Sequence, residues 1–323
     1  MFDALIAKLK AEPKTIVFTE GPDARILEAT SKLLAEGIMK VVLVGNVAEV
    51  EAAAKAGGFN IEGAEIVDPE TYAEMDAMVE KMVELRKGKM TPEQCKANLL
   101  KGNYFGTMLV KMGKADCLLG GATYSTADTV RPALQLIKTK PGNTIVSSCF
   151  IMVRDNADGT QDKLAMGDCA INIHPTEDNL VEIAQETSKC AKTFGIDPKV
   201  AFLSFSTKGS AKDDTVTKMQ NAVAKAKEVM DVPVDGEMQF DAAVAPEVGQ
   251  LKFPGSPVAG QANTFIFPDV NAGNIGYKIA QRLGGFAAYG PILLGLNAPI
   301  NDLSRGCNAD EVYHMAIITV ALA

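Results

Sequence analysis

The chain has 323 residues, of which 47% are hydrophobic and 22% are charged, and its formal net charge is −8 at pH 7. This composition is typical of globular proteins with a substantial core. The excess of acidic residues disfavours extensive binding to nucleic acids or to membrane surfaces, because both are polyanions. We therefore expect no nucleic-acid partner and no membrane partner.

The six cysteines are widely spaced and form no CxxC pair with metal-ligand spacing, which disfavours a structural zinc site. Most of them lie in apolar surroundings, as expected for reduced cysteines that act as small core residues. The first residues, "MFDALIAKLKAEPK", alternate apolar and charged side chains like an amphipathic helix rather than a signal peptide. These features predict a cytoplasmic protein.

The first part of the chain alternates short strands with helices. Its predicted strands are "TIVFTEG", "KVVLVGN", "AEIVD" and "DCLLGGATYS", with helical stretches between them. Val41 to Val44 have no polar residue at alternate positions, which is typical of strands covered on both faces by crossover helices. A long helical region that precedes the last of these strands is broken at Gly88 and near Thr91. This pattern predicts a parallel sheet.

The pattern changes after residue 143. Two strands, "NTIVSSCFIMVRD" and "KLAMGDCAINI", lie close together and flank the turn-forming "NADGT", which predicts a hairpin. Alternation of strands and helices then resumes, and the predicted strand segments are "VAFLSFS", "VDGEMQFDAAV", "ANTFIFPDV" and "GPILLGL".

Length and pattern together predict an α/β protein of two domains, with mostly parallel sheets and helices on both faces. The first domain is predicted to cover residues 1–145 and to be completed by residues 300–323. The second is predicted to cover residues 146–299. No linker rich in proline, glycine or serine separates them, so we expect the two domains to pack with a cleft between them.

The loop after the strand "DCLLG" has the composition of an anion site. It contains Gly120, Gly121, Ser125 and Thr126, and Arg131 follows in the first turns of a predicted helix. Backbone N–H groups at a helix start, hydroxyls and a guanidinium together suit a phosphate. The alternative is an ordinary helix cap beside a solvated arginine.

Two later segments carry weaker signals. "FSTKGSAKDD" leaves a strand with Lys208 among small residues, but it lacks the spacing of a Walker loop. "NAGNIGYKIAQRLGG" offers Asn274 and Lys278, but its spacing is not that of a dinucleotide-binding loop. A solvated turn and an amphipathic helix are the alternative interpretations.

Near the end of the chain, "NDLSRGCNAD" places Ser304 and Arg305 just before a glycine. A hydroxyl and a bidentate cation in one loop suit an oxyanion. Asp310 and Glu311 follow at the start of a predicted helix. If Asn308 caps that helix, Glu311 falls at the third helical position and completes a capping box, so a structural role competes with a catalytic one.

These segments together resemble the phosphotransacetylase (phosphate acetyltransferase) family. The similar segments occur in family order over essentially the whole chain: "TEGPDARILEA", "GGATYSTADTVRPALQLIKTKPG", "LSFSTKGSAK", "DGEMQFDAA", "GNIGYKIAQRL", "YGPILLGL" and "NDLSRGCNADEV". The resemblance implies a fold like that of isocitrate and isopropylmalate dehydrogenases, with the active cleft between the domains, and a homodimer. It also implies reversible transfer of an acetyl group between acetyl phosphate and coenzyme A, with coenzyme A as a substrate and no tightly bound cofactor.

The family roles map onto four residues. Ser304 would hydrogen-bond the reacting carbonyl, and Arg305 would hold the acyl phosphate. Arg131 would bind phosphate, and Arg86 would orient coenzyme A or the acyl phosphate. Ser125, Thr126, Lys208, Asn274 and Lys278 are the further candidates for substrate binding.

The chain departs from the family pattern at the catalytic base. The family has an aspartate seven positions after the serine, where this chain has Glu311, with Asp310 one position earlier. Successive helical residues are rotated by about 100 degrees, so both acids cannot face the site equally. We assign the base to Glu311 by register and keep Asp310 as the alternative. The base would remove the proton of the coenzyme A thiol, and the resulting thiolate would attack acetyl phosphate directly in a ternary complex. In the competing hypothesis, Cys307 is a covalent nucleophile.

Three other functions compete with acetyl transfer. A phosphate butyryltransferase would differ only in the size of its acyl pocket, which the sequence does not define. An NAD-dependent decarboxylating dehydrogenase of the same fold would need metal-binding aspartates and a nucleotide site, and the sequence offers no convincing set of either. The third alternative is a catalytically silent sensor of acyl-CoA.

Overall fold

Two β-sheets organise the chain. The structure, a computed structural model, describes residues 2–323. In chain order the strands are β1 (Thr15–Phe18), β2 (Lys40–Val44), β3 (Glu65–Val67), β4 (Cys117–Gly120), β5 (Ser147–Asp155), β6 (Gln161–Gly167), β7 (Val200–Leu203), β8 (Val234–Met238), β9 (Thr264–Ile266), β10 (Ala287–Leu294) and β11 (Ile300–Asp302).

The helices surround these strands in an alternating order. They are α1 (Phe2–Ala11), α2 (Ala24–Ala35), α3 (Val47–Gly57), α4 (Met75–Arg86), α5 (Pro92–Leu99), α6 (Gly102–Lys111), α7 (Thr126–Pro132), α8 (Glu177–Thr193), α9 (Asp214–Val229), α10 (Phe240–Val244), α11 (Pro246–Lys252), α12 (Val270–Arg282) and α13 (Ala309–Ala321). A short π-helix, Ala133–Ile137, continues α7. Within residues 2–323, no helix combines the length and the apolarity that crossing a bilayer requires.

The chain divides into two compact units. Unit 1 comprises the residues up to Pro141 together with Leu296–Ala323, and unit 2 comprises Gly142–Gly295. Each unit has its own sheet and its own core.

Unit 1 contains a five-stranded sheet in the order β11-β4-β1-β2-β3. Every neighbouring pair in it is parallel. The central strands are fully buried, and Ile16, Val17 and Phe18 have no exposed surface. Strands covered on both faces need apolar residues at every position, which explains the uninterrupted β-branched runs. The predicted parallel sheet is confirmed.

Unit 2 contains a six-stranded sheet in the order β10-β5-β6-β9-β7-β8. β5 and β6 pair antiparallel from Cys149 opposite Gly167 to Asp155 opposite Gln161, so the predicted hairpin is confirmed. β10 also pairs antiparallel with β5, whereas β6, β9, β7 and β8 run parallel to one another. The two sheets together confirm the α/β class with mostly parallel strands.

One predicted extended segment is wrong in its second half. β8 ends at Met238, and the residues that follow form α10 instead of continuing the strand. The Asp241 carboxylate accepts the N–H of Ala242 at 2.8 Å, and two alanines follow. Alanine has the highest helix propensity, and a carboxylate in the first turn stabilises a helix, so local chemistry ends the strand here.

Candidate active site

The candidate site of unit 1 lies where three neighbouring parallel strands end. β11, β4 and β1 are adjacent in the sheet, and their carboxyl ends lead into three loops. These are the serine-arginine loop (residues 303–308), the glycine loop (residues 120–125) and the β1 loop (residues 19–23). The N–H of Leu303 donates to the Gly120 carbonyl at 2.7 Å and joins the first two loops. This edge is where open α/β sheets bind ligands.

The two glycines of the glycine loop are required by close packing. A Cβ on Gly120 would overlap the hydroxyls of Thr19 and Tyr124, and a Cβ on Gly121 would overlap the Asp302 carboxylate. Gly121 also has a φ of +98°, in the region that favours glycine. The pair therefore lets the three loops approach one another.

A buried carboxylate links β11 to the start of α7. Asp302 is 2% exposed and accepts the hydroxyls of Thr126, at 2.6 Å, and of Thr129. Burial raises the pKa of Asp302, while the two threonine hydroxyls oppose the rise. The neighbouring Ser125 hydroxyl donates to Asp128 at 2.7 Å. In this conformation the hydroxyls of Ser125 and Thr126 are thus bound to carboxylates of the protein itself.

Arg131 and Arg86 both act electrostatically on the same residue, Tyr104. Burial raises the pKa of Tyr104, and the guanidinium groups of Arg131 and Arg86 oppose that rise. The Arg131 side chain is 59% exposed and lies 3.8 Å from an oxygen of Asp128. Arg86 ends α4, and its Nε atom is buried without a hydrogen-bond partner among residues 2–323. Two arginines, one of them with an unpaired buried donor, suit a dianionic phosphate.

The serine-arginine loop presents its functional groups to solvent. Ser304, Arg305 and Gly306 are exposed, while Cys307 is buried. The Cys307 N–H donates to the Ser304 carbonyl at 2.9 Å, and the Gly306 N–H donates to the Ser304 hydroxyl oxygen at 3.2 Å. Among residues 2–323 the guanidinium of Arg305 has no ion pair or hydrogen bond, so its donors are available to an anion.

The two candidate bases both have partners within unit 1. Glu311 accepts the N–H of Asn308 at 3.0 Å and donates its own N–H to the Asn308 side chain at 2.8 Å. This is the capping box considered from the sequence. Asp310 forms an ion pair of 2.9 Å with Lys32, whose ammonium lowers the pKa of that carboxyl.

The thiol of Cys307 is poorly suited to be a nucleophile. It is 6% exposed, and burial raises its pKa in spite of the nearby Arg25 guanidinium. Catalytic cysteines instead have lowered pKa values and accessible sulfur atoms.

The polar residues of the β1 loop and the start of α2 also belong to this edge of the sheet, although they were not among the predicted site residues. Glu20 accepts the N–H of Thr123 at 2.8 Å and the Thr123 hydroxyl at 3.1 Å, and burial raises its pKa. Asp23 and Arg25 contact each other at 2.7 Å. The signal was present in "TEGPDAR", because these residues follow a buried strand at the edge that carries the other loops.

In unit 2, Lys208 lies in the loop after β7. It has a φ of +50°, and its ammonium lies 5.1 Å from the centre of the Phe253 ring. The buried Glu237 shapes this loop, because it accepts the Ser206 hydroxyl at 2.8 Å and the Gly209 N–H at 2.7 Å. The sequence thus identified the exposed lysine but not the carboxylate that holds its loop.

Asn274 and Lys278 lie on α12, which follows β9, the neighbour of β7 in the sheet. The Asn274 amide donates to the Cys169 carbonyl at 3.2 Å. Lys278 is exposed, and its ammonium lies 5.8 Å from the Tyr277 ring centre. The loop of Lys208 and the start of α12 therefore share the carboxyl edge of the unit 2 sheet.

Comparisons with known proteins agree over the full chain. Residues 1–320 match the family model described as "Phosphate acetyl/butaryl transferase". A phosphate acetyltransferase of Bacillus subtilis (strain 168) is 52% identical over 324 aligned residues, which cover 100% of this chain and 99% of that protein.

Solved structures are equally similar. A phosphotransacetylase from Streptococcus pyogenes superposes with a TM-score of 0.95 at 51% identity, covering 99% of this chain and 97% of that one. The EutD phosphotransacetylase from Staphylococcus aureus superposes with a TM-score of 0.92 at 48% identity and the same coverage. Likeness at this identity, over the whole length and with the motif residues gathered at one sheet edge, leads to one conclusion: the chain belongs to the phosphate acetyl/butyryl transferase family.

Proposed function

We infer that the chain is a phosphate acetyltransferase, which converts acetyl phosphate and coenzyme A to acetyl-CoA and inorganic phosphate, and the reverse. The observation that carries this function is the match to full-length relatives named phosphate acetyltransferase at about half identity. Those names favour the acetyl group over the butyryl group as the substrate's acyl part.

We propose that the reaction is a direct attack of the coenzyme A thiolate on the acetyl carbon in a ternary complex. The sulfur–carbon bond forms as the bond from the carbonyl carbon to the phosphate oxygen breaks, and phosphate leaves with the bonding electron pair. An acyl phosphate is already activated, so this step requires neither a metal nor a tightly bound cofactor. Holding both substrates in reactive contact supplies much of the rate acceleration.

Ser304 and Arg305 are proposed to act on acetyl phosphate. The exposed Arg305 guanidinium has its donors free for phosphate oxygens. The exposed Ser304 hydroxyl would donate to the carbonyl oxygen as negative charge develops on it. Their position in one short loop supports a shared substrate, since the two groups are adjacent in sequence.

Arg131 and Arg86 are proposed to bind phosphate groups of the substrates. Their common electrostatic effect on Tyr104 supports a shared role, as does the unpaired Nε of Arg86. Lys208, Asn274 and Lys278 of unit 2 are proposed to contribute further contacts to substrate, and Ser125 and Thr126 to do so through the start of α7.

Glu311 is proposed to be the base that takes the thiol proton. A thiol pKa near 8.5 and a carboxyl pKa near 4 differ by about 4.5 units, or about 6 kcal/mol, so the carboxylate must lose water to become effective. The Asn308 N–H occupies Oε2 of Glu311, which leaves Oε1 to accept the thiol proton. Asp310, held by Lys32, is the alternative.

A homodimer and a cytoplasmic location are further proposals. Exposed apolar residues repeat along α12 and at its end, at Ile275, Ile279 and Leu283, which are 59%, 53% and 85% exposed. Residues four apart share one helix face, so this stripe would be covered in a dimer. The six free cysteines are typical of a reducing compartment. Light scattering of the wild type and of Ile279→Glu tests the dimer, which the charge should disrupt.

The activity is tested by following thioester formation from acetyl phosphate and coenzyme A. The same assay with butyryl phosphate tests the acyl preference, and we expect a lower kcat/KM with the longer chain. An assay for NAD reduction with a hydroxy acid tests the dehydrogenase alternative. A protein that binds acetyl-CoA but forms no thioester would contradict the proposed function and favour a sensor.

A further inference from the structure

The guanidinium of Arg25 connects the three loops of the candidate site. Its Nη1 donates to the carbonyls of Arg305, at 2.9 Å, and of Cys307, at 3.2 Å, and its Nη2 donates to the Ala122 carbonyl at 2.9 Å. Arg305 and Arg25 are 280 positions apart in sequence. One side chain thus joins the serine-arginine loop to the glycine loop.

Arg25 is itself held firmly. Its Nε and Nη2 donate to the two carboxylate oxygens of Asp23 at 2.9 and 2.7 Å, a bidentate geometry that fixes the plane of the guanidinium. Asp23 also caps α2 by accepting the Arg25 N–H, and the Arg25 guanidinium lowers the pKa of that carboxyl. The pair is therefore anchored to the first turn of α2.

The donors of Arg25 are all used within the protein. A guanidinium has five N–H donors. Nε has one acceptor, the two hydrogens of Nη2 have Asp23 and Ala122, and the two of Nη1 have the carbonyls of Arg305 and Cys307. No donor is left for a substrate phosphate. Arg25 and Arg305 therefore differ in their available donors, because the guanidinium of Arg305 has no partner among residues 2–323.

A second residue of the β1 loop, Glu20, also binds the glycine loop. Glu20 accepts the N–H and hydroxyl of Thr123, one residue after the carbonyl that Arg25 binds. The glycine loop is therefore fixed from both sides by residues of a single segment, Glu20 to Arg25. The serine-arginine loop, in contrast, depends on Arg25 at two of its carbonyls.

We propose that Arg25 is a positioning residue, which sets the place of Ser304 and Arg305 relative to the glycine loop by binding the backbone of both loops. The proposal rests on the proposed function, because it assigns Arg305 to the acyl phosphate. Without Arg25 the carbonyls of Arg305 and Cys307 lose their common donor, and the loop carrying the Arg305 guanidinium shifts. A shift of about 1 Å at a reacting group can cost on the order of 10²-fold in rate.

The test compares Arg25→Met and Arg25→Lys with wild type in the thioester assay. We expect Arg25→Met to lower kcat by about 10²-fold. Arg25→Lys keeps the charge and part of the donors and should lower kcat by about tenfold, since an ammonium cannot reproduce the planar fork. Lys114→Met is the matched control, because it removes an exposed ion pair with Glu74 in the same unit. It should retain wild-type activity.

A double-mutant cycle with Arg305→Met distinguishes positioning from direct contact with substrate. If Arg25 acts by positioning the loop that carries Ser304 and Arg305, adding Arg25→Met to Arg305→Met should lower kcat by a smaller factor than adding it to wild type, because only the displacement of Ser304 remains. An equal loss in both backgrounds would overturn the proposal, as would wild-type kcat in Arg25→Met.

Hydrogen–deuterium exchange provides a readout that does not depend on activity. The peptide covering residues 303–308 should exchange faster in Arg25→Lys than in wild type, while a peptide from β2 stays unchanged. Unchanged exchange in residues 303–308 of Arg25→Lys would overturn the proposal. Because this measurement uses Arg25→Lys, it still applies if Arg25→Met fails to fold. A wild-type protein without thioester-forming activity would instead contradict the proposed function, and the exchange experiment would still decide the role of Arg25 in the loop.

Discussion

The Glu311 carboxylate accepts the backbone N–H of Asn308, while the Asn308 side chain accepts the backbone N–H of Glu311. The residue that the family register assigns as the base is thus also the third helical residue of a capping box. The bond uses one oxygen of the carboxylate, Oε2, and a base would take the proton of the coenzyme A thiol on Oε1. One carboxylate therefore serves the helix cap and the proposed proton transfer, and the choice of substitution separates the two roles.

Glu311→Gln should lose activity and keep stability. A capping box accepts glutamine as well as glutamate at this position, so the cap persists, but the amide cannot take a proton. We expect kcat to fall by about 10² to 10⁴-fold, the range for loss of a general base, with a change in unfolding free energy below about 0.5 kcal/mol. Glu311→Ala is the matched variant, which should lose the cap as well. Steady-state kinetics and urea unfolding measure the two effects, and normal kcat in Glu311→Gln would contradict the assignment.

Asp310→Asn should remain active. Asp310 forms an exposed ion pair with Lys32, whose ammonium lowers the pKa of its carboxyl. Such pairs contribute about 0 to 1 kcal/mol, so stability should change little. Lys32→Met, which breaks the same pair from the other side, provides the comparison. If Asp310→Asn loses kcat strongly while Glu311→Gln does not, Asp310 is the base.

Cys307→Ala should keep kcat within about twofold of wild type, because burial raises the pKa of the thiol and leaves it protonated. Mass spectrometry of the intact protein after incubation with acetyl phosphate alone should detect no acetylated enzyme. Accumulation of an acetyl-enzyme that is absent from Cys307→Ala would establish a two-step mechanism and contradict direct transfer.

Asp302→Asn should change the pH dependence of stability. Burial raises the folded-state pKa of Asp302 above the ordinary value of 3.8, so the folded protein binds this proton more tightly than the unfolded chain does. The wild type therefore loses stability from this group as pH rises from the ordinary pKa through the raised one. The asparagine is neutral throughout, so the unfolding free energy of the variant should increase relative to wild type as pH rises above about 4.

Asp241→Asn serves as the control, because its unfolding free energy relative to wild type should change with pH in the opposite direction. Lys252 lowers the folded-state pKa of Asp241, so this group stabilises the protein above its unfolded pKa and loses that contribution as pH falls. The variant should become relatively less stable as pH rises. Urea unfolding across the pH range measures both slopes, and equal slopes for the two variants would contradict the burial argument for Asp302.

Gly121→Ala should destabilise the protein more than Gly113→Ala. Both glycines have positive φ, at +98° and +71°, and an alanine in that region costs about 1 to 2 kcal/mol. A Cβ on Gly113 has no atom within 4 Å, whereas a Cβ on Gly121 overlaps the Asp302 carboxylate. Thermal unfolding of the two variants isolates the cost of the overlap. Equal losses would show that the loop adjusts without cost.

Local sequence determined the elements that depend on neighbours in the chain. The uninterrupted run "KVVLV" predicted a parallel strand buried on both faces, and "NADGT" between two apolar runs predicted the hairpin. The capping box at Asn308 was also visible, because its two partners lie three residues apart. Local signals misled at Phe240–Val244, where Asp241 and the alanines that follow it favour a helix over an extended strand.

Family resemblance, carried by short motifs, predicted candidate residues for substrate binding and catalysis but not the residues that hold their loops. Arg25 meets Arg305 across 280 positions, and Asp302 meets Thr126 across 176 positions. No local pattern encodes such pairs. The order of strands in the sheet brings them together, because β1, β4 and β11 are neighbours whose carboxyl ends share one edge. The sequence therefore specified which functional groups the loops contain. Only the tertiary structure decided which of these side chains have unpaired donors and which are bound within the protein.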